Sequence, residues 1–271
     1  MDIADKIDAS YDQEPIRGSR NYIGASNVGN PCDALLAFSL RGYPETPPKA
    51  RIKRIFALGH LLEKQIIRDL KKAEIRVWEK DGLTGQQFAH DLFGGHVSCH
   101  LDGQVEWEGD EVAVLEIKTM GDRPWKDFVK KGVTVSHPQY FAQCQLMMGM
   151  GGYPAAVLVA YNKNTSEYHS EIIEFDEFEY SNLLFRAEWV MANKAVKISV
   201  KEDDWRCRGC FKHGVCWQDD PVPKRCDTCA HAIAREDGDW YCQLHDEPAV
   251  KICGKYFLYK PEEREDDVKR R

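Results

Sequence analysis

The ten cysteines of this 271-residue chain constrain its fold more than any other feature. Seven of them lie between positions 207 and 253, among glycine, proline, aspartate and aromatic residues. The N-terminal sequence MDIADKIDAS has neither the basic start nor the apolar stretch of a secretory signal, so we expect a cytoplasmic protein. Because disulfides are rare in the cytoplasm, clustered cysteines in such a chain predict metal binding.

One cysteine set is split between the two ends of the main domain. Cys207, Cys210 and Cys216 stand in WRCRGCFKHGVCW, where the C-x2-C spacing lets two thiolates reach one metal from a tight turn. The fourth ligand is either Cys32, far upstream, or His213 within the same segment. Four thiolates suit a [4Fe–4S] cluster or Zn²⁺, whereas His213 would favour zinc. A buried free thiol is the alternative interpretation of Cys32.

A second set, Cys226, Cys229, Cys242 and Cys253, predicts a small zinc-binding module at the C-terminal end. His245 is an alternative ligand, because it follows Cys242 at the same x2 spacing. A module of this size needs its metal in order to fold. The two remaining cysteines are interpreted as ordinary buried thiols: Cys99 and Cys144.

Hydropathy periods alternate between helix and strand along the first two hundred residues. Helices are predicted at 31–41, 55–73, 137–150 and 176–196, and strands at 95–118 (with a break at 108–110), 155–163 and 168–175. This order predicts an α/β or α+β core. Hydrophobic residues make up 43% of the chain, which excludes disorder throughout. No apolar run is long enough to span a bilayer, so no membrane association is expected. The predicted segments are a flexible N-terminal segment 1–21, a main domain 22–218, a zinc module 219–260 and a charged tail 261–271.

A hairpin in the middle of the chain brings charged residues together. If a three-residue turn is centred on Gly109, paired positions sum to 218 and Asp102 lies opposite Glu116. Opposed residues of an antiparallel pair share one face of the sheet, with Cβ atoms about 5 Å apart. Lys118 lies two residues beyond Glu116 and therefore points to that face too. A two-residue turn would shift this pairing by one.

Two adjacent carboxylates need a neutralising partner, and a hard cation such as Mg²⁺ or Mn²⁺ suits their oxygens. Lys118 would then orient or help deprotonate a water, or stabilise charge on a phosphate. Glu63, on the helix predicted at 55–73, would add a third acidic group. Gln143 shares a helix face with Gln139 and would hydrogen-bond a water, a phosphate or Lys118. Such a set is suited to hydrolysis of a phosphodiester.

Taken together, these motifs resemble the RecB-like branch of the PD-(D/E)XK nuclease superfamily. The similarity runs through Gly59…Glu63, Leu101-Asp102-Gly103, Glu116-Ile117-Lys118 and Gln143. The split cysteine set resembles the iron–sulfur staple of AddB-type and CRISPR-associated members. Longer stretches look like phage and prophage exonucleases: IGASNVGNPCDALLAFSLRG, LGHLLEKQII and GVTVSHPQYFAQCQLMM. The resemblance covers about Tyr22 to Tyr259.

The resemblance implies a restriction-endonuclease-like core, in which a central mixed β-sheet is flanked by helices, with the cysteine-rich module appended. It also implies Mg²⁺- or Mn²⁺-dependent exonuclease cleavage of DNA, in phage or prophage recombination or end processing within the bacterial host cytoplasm. Asp102 and Glu116 would bind the metal, and Ile117 would lend its backbone carbonyl. Glu63 would help directly or through water, and Lys118 would position the nucleophilic water. The split cysteine set would hold a [4Fe–4S] cluster.

One position departs from the family, because Met147 stands where related nucleases commonly carry tyrosine; Tyr140 is nearby at a different spacing. A non-catalytic DNA- or protein-binding module on a nuclease-like scaffold is the alternative function, and a zinc-only nuclease is a third. The net charge of −7 gives no bulk support for nucleic-acid binding, which would need a local basic groove. A recombination or single-strand-binding protein is a possible partner. Polarity, strand preference, exonuclease versus endonuclease action and oligomeric state are left open.

Overall fold

The structure, a computed structural model, describes residues 2–14, 18–109 and 111–263. They form two compact units built from interleaved segments. The first contains residues 2–14, Pro48–His90 and Cys99–Tyr180; the second contains residues 18–47, Asp91–Ser98 and 181–263. The boundaries proposed from the sequence at residues 22, 219 and 261 stay predictions. Within the described part of the chain, no helix is long and apolar enough to cross a membrane.

The described helices, in chain order, are α1 Ile3–Asp12, α2 Ala25–Val28, α3 Asp33–Leu40, α4 Ala50–Lys72, α5 Asp122–Lys131, α6 Val133–Ser136, α7 Pro138–Gly151, α8 Glu177–Met191 and α9 His213–Trp217. The described strands are β1 Ile23–Gly24, β2 Val77–Trp78, β3 Ala89–Leu92, β4 Val97–His100, β5 Gly103–Glu106, β6 Val112–Met120, β7 Ala155–Asn162, β8 Tyr168–Glu174, β9 Ala232–Ala234, β10 Trp240–Cys242 and β11 Glu247–Pro248. The predicted helices and strands are present, with ends shifted by a few residues. The expected mixed α/β class is confirmed.

The main sheet belongs to the first unit and has the order β2-β5-β6-β7-β8. It is mixed, because β6 and β7 run parallel while the other neighbours are antiparallel. Gly103 of β5 lies opposite Leu115 of β6, and the amide of Trp107 donates to the carbonyl of Glu111 at 2.9 Å. These pairs sum to 218, which confirms the register predicted from a turn centred on Gly109. Residue 110 lies outside the described residues.

Helices cover both faces of this sheet. Ile66 and Ile67 of α4 are buried against Leu115 and Ile117 of β6, where they form an apolar core of the first unit. Side chains alternate along a strand, so Glu116 points to the opposite face. Helix α7 lies on that face and contacts both β6 and β7. The sheet therefore presents the polar end of β6 to α7.

The second unit has a separate core and a small sheet. Strand β1 pairs in parallel with β4, with Ile23 opposite Val97. Ala34 and Phe38 of α3 pack against Val215 of α9. Strands β9, β10 and β11 form an antiparallel three-stranded sheet in the order β11-β10-β9.

The described part of the N-terminal segment 1–21 contains helix α1, which the sequence analysis did not predict, while the expected flexibility of the segment stays a prediction. Asp2 caps this helix, because its side-chain Oδ1 accepts a hydrogen bond from the backbone amide of Ala4 at 2.8 Å. Asp8 forms an ion pair with Arg54 of α4, whose guanidinium lies 5.5 Å from the Tyr11 ring. No side chain of α1 is buried. The helix is held by polar contacts, which a hydropathy pattern does not reveal.

Candidate active site

Glu116 is the centre of a buried polar cluster on the α7 face of the sheet. Its side chain is only 2% exposed although it carries a carboxylate. Gln143 of α7 donates from Nε2 to Glu116 Oε1 at 2.8 Å. Lys118 forms an ion pair with the same carboxylate oxygen and donates from Nζ to Gln143 Oε1 at 3.1 Å. The three predicted side chains thus form one closed network.

Asp102 joins this network from the neighbouring strand end. The backbone amide of Ile117 donates to Asp102 Oδ2 at 2.8 Å. Burial, and then the adjacent Glu116 carboxylate, raise the pKa of Asp102 well above its ordinary value. Lys118 partly offsets this rise. Burial and the Glu116 carboxylate thus disfavour the charged form of Asp102, and a cation bound between the two groups would favour it.

The charge state of Lys118 bears on its predicted role. Burial lowers the pKa of Lys118, but the Glu116 carboxylate outweighs burial, and the net result is a pKa above the ordinary lysine value. Lys118 is therefore a cation in this network. A cationic side chain suits orienting a water or stabilising a phosphate oxygen better than removing a proton.

Glu63 is less closely integrated than the other predicted residues. It lies on α4, its side chain is about one third exposed, and its Oε2 is 3.7 Å from His60 Nδ1. Its carboxylate still contributes to the raised pKa of Asp102. Glu63 thus borders the cluster. Metal binding by the backbone carbonyl of Ile117 stays a prediction.

Two aromatic residues border the cluster in a way that the sequence analysis did not predict. The Tyr140 ring centre is 4.7 Å from Lys118 Nζ, a cation–π contact. His137 is stacked on Tyr140 with ring centres 5.1 Å apart and nearly parallel planes. Tyr140 precedes Gln143 by three residues, so both lie on one face of α7. This spacing is the sequence feature from which the position of Tyr140 beside the cluster could have been predicted.

The split cysteine set comes together in the second unit. Burial raises the pKa of the Cys216 thiol to about 12. The neighbouring thiols of Cys32, Cys207 and Cys210 contribute to this rise. The amide of Cys210 donates to the carbonyl of Cys207 at 3.0 Å, as in a tight C-x2-C turn. His213, the rival ligand, faces Glu202 instead, with 3.8 Å between Nε2 and Oε1. Four neighbouring thiols provide a donor set that suits an iron–sulfur cluster or zinc.

The second cysteine set surrounds a cavity of about 30 Å³. Its lining includes Cys226, Cys229, Cys242, Cys253 and His245. Across the residues that the structure describes, no three His, Cys, Asp or Glu side chains have the arrangement of a preformed metal site. Metal binding at either cysteine set or at the carboxylates therefore stays a prediction. As expected, Cys99 and Cys144 are buried.

Comparisons with known proteins give structural likenesses only. No family model matches the chain, and no curated protein matches its sequence. The crystal structure of SSO0001 is 14% identical, with 80% of this chain and 95% of that chain covered and a TM-score of 0.46. The crystal structure of an alkaline exonuclease (LHK-Exo) from Laribacter hongkongensis is 20% identical, with coverages of 69% and 91% and a TM-score of 0.46. LHK-Exo in complex with dAMP is 19% identical, with coverages of 64% and 87% and a TM-score of 0.43. All three TM-scores are below 0.5, so the functional argument relies on the geometry of this chain.

Proposed function

We propose that this chain is a divalent-metal-dependent nuclease whose active centre is formed by Asp102, Glu116 and Lys118. Its substrate is DNA, which it hydrolyses from an end, in phage or prophage recombination or end processing. The choice of DNA, of exonuclease action and of the phage setting comes from the resemblance of the motifs. The chemistry of the centre comes from its buried charges.

The observation that supports the proposal most strongly is the burial of Glu116 beside Asp102. Burying a carboxylate is unfavourable unless it is paired, and burying two together raises this cost further. A protein scaffold that only binds DNA or another protein gains nothing from such an arrangement. A catalytic centre does, because the same carboxylates would hold a cation that offsets the negative charge developing during phosphodiester hydrolysis.

Mg²⁺ or Mn²⁺ fits the donors present, and Asp102 and Glu116 would hold it, with the Ile117 carbonyl and Glu63 as further oxygen donors. When bound, the cation would polarise the phosphate and lower the pKa of a water. Gln143 fixes both the carboxylate and the ammonium group, so their relative position is set before substrate arrives. Lys118 then presents a fixed positive charge to a phosphate oxygen or to the attacking water.

The split cysteine set has a structural role in this proposal. Cys32, Cys207, Cys210 and Cys216 would bind a [4Fe–4S] cluster, or zinc in its place. Protein purified without oxygen separates these alternatives, because an iron–sulfur protein is brown and a zinc protein is colourless. Iron and sulfide at four atoms each per chain support the cluster, whereas zinc without iron supports the alternative.

Cleavage of end-labelled linear DNA and of closed circular DNA in the presence of Mn²⁺ tests the function. The native chain should shorten linear DNA and spare closed circles. Lys118→Ala should slow cleavage by roughly 10²–10³-fold, the usual effect of removing one electrostatic stabiliser. Lys126→Ala is the matched control, because Lys126 is an exposed lysine paired with Asp122.

If the native chain leaves both DNA forms intact with its metals confirmed, the catalytic proposal fails. The alternative of a non-catalytic DNA- or protein-binding module then takes its place. If circles are cut as fast as linear DNA, the nuclease proposal stands and the exonuclease proposal fails.

A further inference from the structure

The C-terminal module, defined here as residues 226–259, has seven potential metal donors around one cavity: four cysteines, His231, His245 and Glu247. The cavity of about 30 Å³ is lined by the thiols of Cys226, Cys229, Cys242 and Cys253 and by the imidazole of His245. The donors therefore surround one small shared cavity.

Two short turns carry three of these thiols. A 3₁₀ turn spans Cys226–Thr228, and the Cys229 amide donates to the Cys226 carbonyl at 3.0 Å. Cys242 ends β10, and its carbonyl accepts the Asp246 amide at 2.9 Å. Burial and then the other three thiols raise the pKa of Cys226. All four cysteine side chains are thus close enough to interact.

A buried arginine fixes the first of these turns from outside the module. Arg41, which follows α3, is 1% exposed. It donates to the Cys229 carbonyl at 3.2 Å and to the Ala232 carbonyl at 2.8 Å, and its guanidinium lies 4.0 Å from the Tyr259 ring centre and 4.8 Å from that of Trp240. The backbone that carries Cys229 is therefore held by protein contacts. A preorganised ligand loop loses less conformational freedom when it binds an ion.

These donors exceed the four positions of tetrahedral zinc, and their environments differ. Cys229 is buried and the other three cysteines are half-buried, whereas His245 is exposed. His245 Nε2 is 3.2 Å from Cys253 Sγ, within hydrogen-bonding distance for sulfur. The exposed imidazole thus contacts a thiol that lines the cavity. This arrangement matches that of an N–H donor that supports a metal ligand from outside.

We propose that Cys226, Cys229, Cys242 and Cys253 bind one Zn²⁺ and that His245 donates an N–H hydrogen bond to the Cys253 thiolate without binding the metal. On binding, the four thiols release their protons to solvent and draw in around the ion. The hydrogen bond from His245 reduces the negative charge that four thiolates place on the site. Its role is therefore to stabilise the Cys253–zinc bond, independently of the cleavage chemistry proposed above.

Zinc content per chain of the full-length protein, measured by plasma mass spectrometry, tests this assignment. Cys253→Ser should lose one zinc relative to the native chain. His245→Ala should keep it but release it to a chelator about 10-fold faster, the lower end of the effect of removing a supporting hydrogen bond. His231→Ala is the matched control, because His231 lines the same cavity and should change neither quantity.

The opposite pattern would overturn the proposal. If His245→Ala loses the zinc and Cys253→Ser keeps it, His245 is the fourth ligand. If Cys226→Ser, Cys253→Ser and His245→Ala all keep the zinc content of the native chain, no zinc site exists in the module.

X-ray absorption at the zinc edge tests the ligand set with all residues of the C-terminal module intact, so it does not depend on the folding of the Cys226, Cys253 and His245 variants. It is recorded on a His213→Ala chain, so that the split cysteine set contributes no nitrogen. The proposal predicts sulfur neighbours alone at about 2.3 Å, and a nitrogen neighbour at about 2.0–2.1 Å would refute it.

Discussion

Replacing Arg41 with methionine should destabilise the protein by an amount that follows from its contacts. The guanidinium is buried between the rings of Tyr259 and Trp240. It donates to the carbonyl of Asp227 and to those of two further residues of the C-terminal module. Methionine has a similar length and fills part of the space, so the substitution mainly removes hydrogen bonds and ring contacts.

The magnitude can be worked out from these interactions. Arg41→Met leaves the Asp227 carbonyl without the Arg41 donor, which costs about 2 kcal/mol. The Cys229 and Ala232 carbonyls each keep another donor, the Ala232 amide and the Asn193 side chain respectively. Two desolvated ring contacts contribute about 1 kcal/mol each. The variant no longer buries a cation, which raises its free energy of unfolding by about 1 kcal/mol. The free energy of unfolding should therefore fall by roughly 3 kcal/mol, or roughly 6–12 °C in Tm for a chain of this length.

Urea unfolding followed by circular dichroism measures this change, with Arg68→Met as the matched control. Arg68 is an exposed arginine of α4, so its replacement should alter the free energy of unfolding by less than about 0.5 kcal/mol. A loss below about 1 kcal/mol for Arg41→Met would refute the argument that Arg41 anchors the module.

Three further predictions test other parts of the structure. Gln143→Leu should slow DNA cleavage by roughly 10²-fold, whereas Gln139→Leu, at an exposed position of the same helix, should not; equal rates would contradict the network. Burial lowers the pKa of His96 below 6.5, so unfolding takes up a proton and stability should fall as the pH drops from about 6.5 to the lowered native pKa. His96→Gln should lose this component of the pH dependence, and an unchanged slope would show that other groups cause it. A methyl group on Gly94 would lie 2.3 Å from a backbone nitrogen, whereas one on Gly95, also at positive φ, meets nothing within 4 Å. Gly94→Ala should therefore cost at least about 2 kcal/mol more than Gly95→Ala in urea unfolding, and similar losses would rule out the clash.

The sequence predicted the main sheet well because its register depends on local chemistry. A short turn at Gly109, which adopts a φ of +67°, fixes which residues of β5 and β6 face each other. The alternation of β6 then places Glu116 and Lys118 on one face. Helix α1 could not be predicted in this way, because its contacts with Arg54 join residues far apart in sequence and bury no apolar side chain.

The candidate site was predictable to the extent that strand periodicity sets it. Lys118 was one of the hydrogen-bond partners expected for Gln143, and Lys118 Nζ donates to Gln143 Oε1. Tyr140 was discounted because its spacing differed from the family pattern, yet its ring contacts Lys118. That contact depends on how α7 lies across the sheet, which side-chain periodicity does not determine. The charge balance of Asp102 likewise depends on burial, which only a folded structure defines.

Binding of Mn²⁺ to the chain freed of Mg²⁺ and Mn²⁺, with its cysteine-bound metals retained, followed by electron paramagnetic resonance of the free ion, tests the central claim most directly. The native chain should remove Mn²⁺ from solution at a site that the Asp102→Asn, Glu116→Gln double variant has lost, because the buried carboxylates supply the charge that holds the ion. The double variant should remain folded by circular dichroism, since its amides keep hydrogen-bonding capacity. Equal Mn²⁺ binding by the two folded proteins would contradict the assignment of Asp102 and Glu116 as the metal centre.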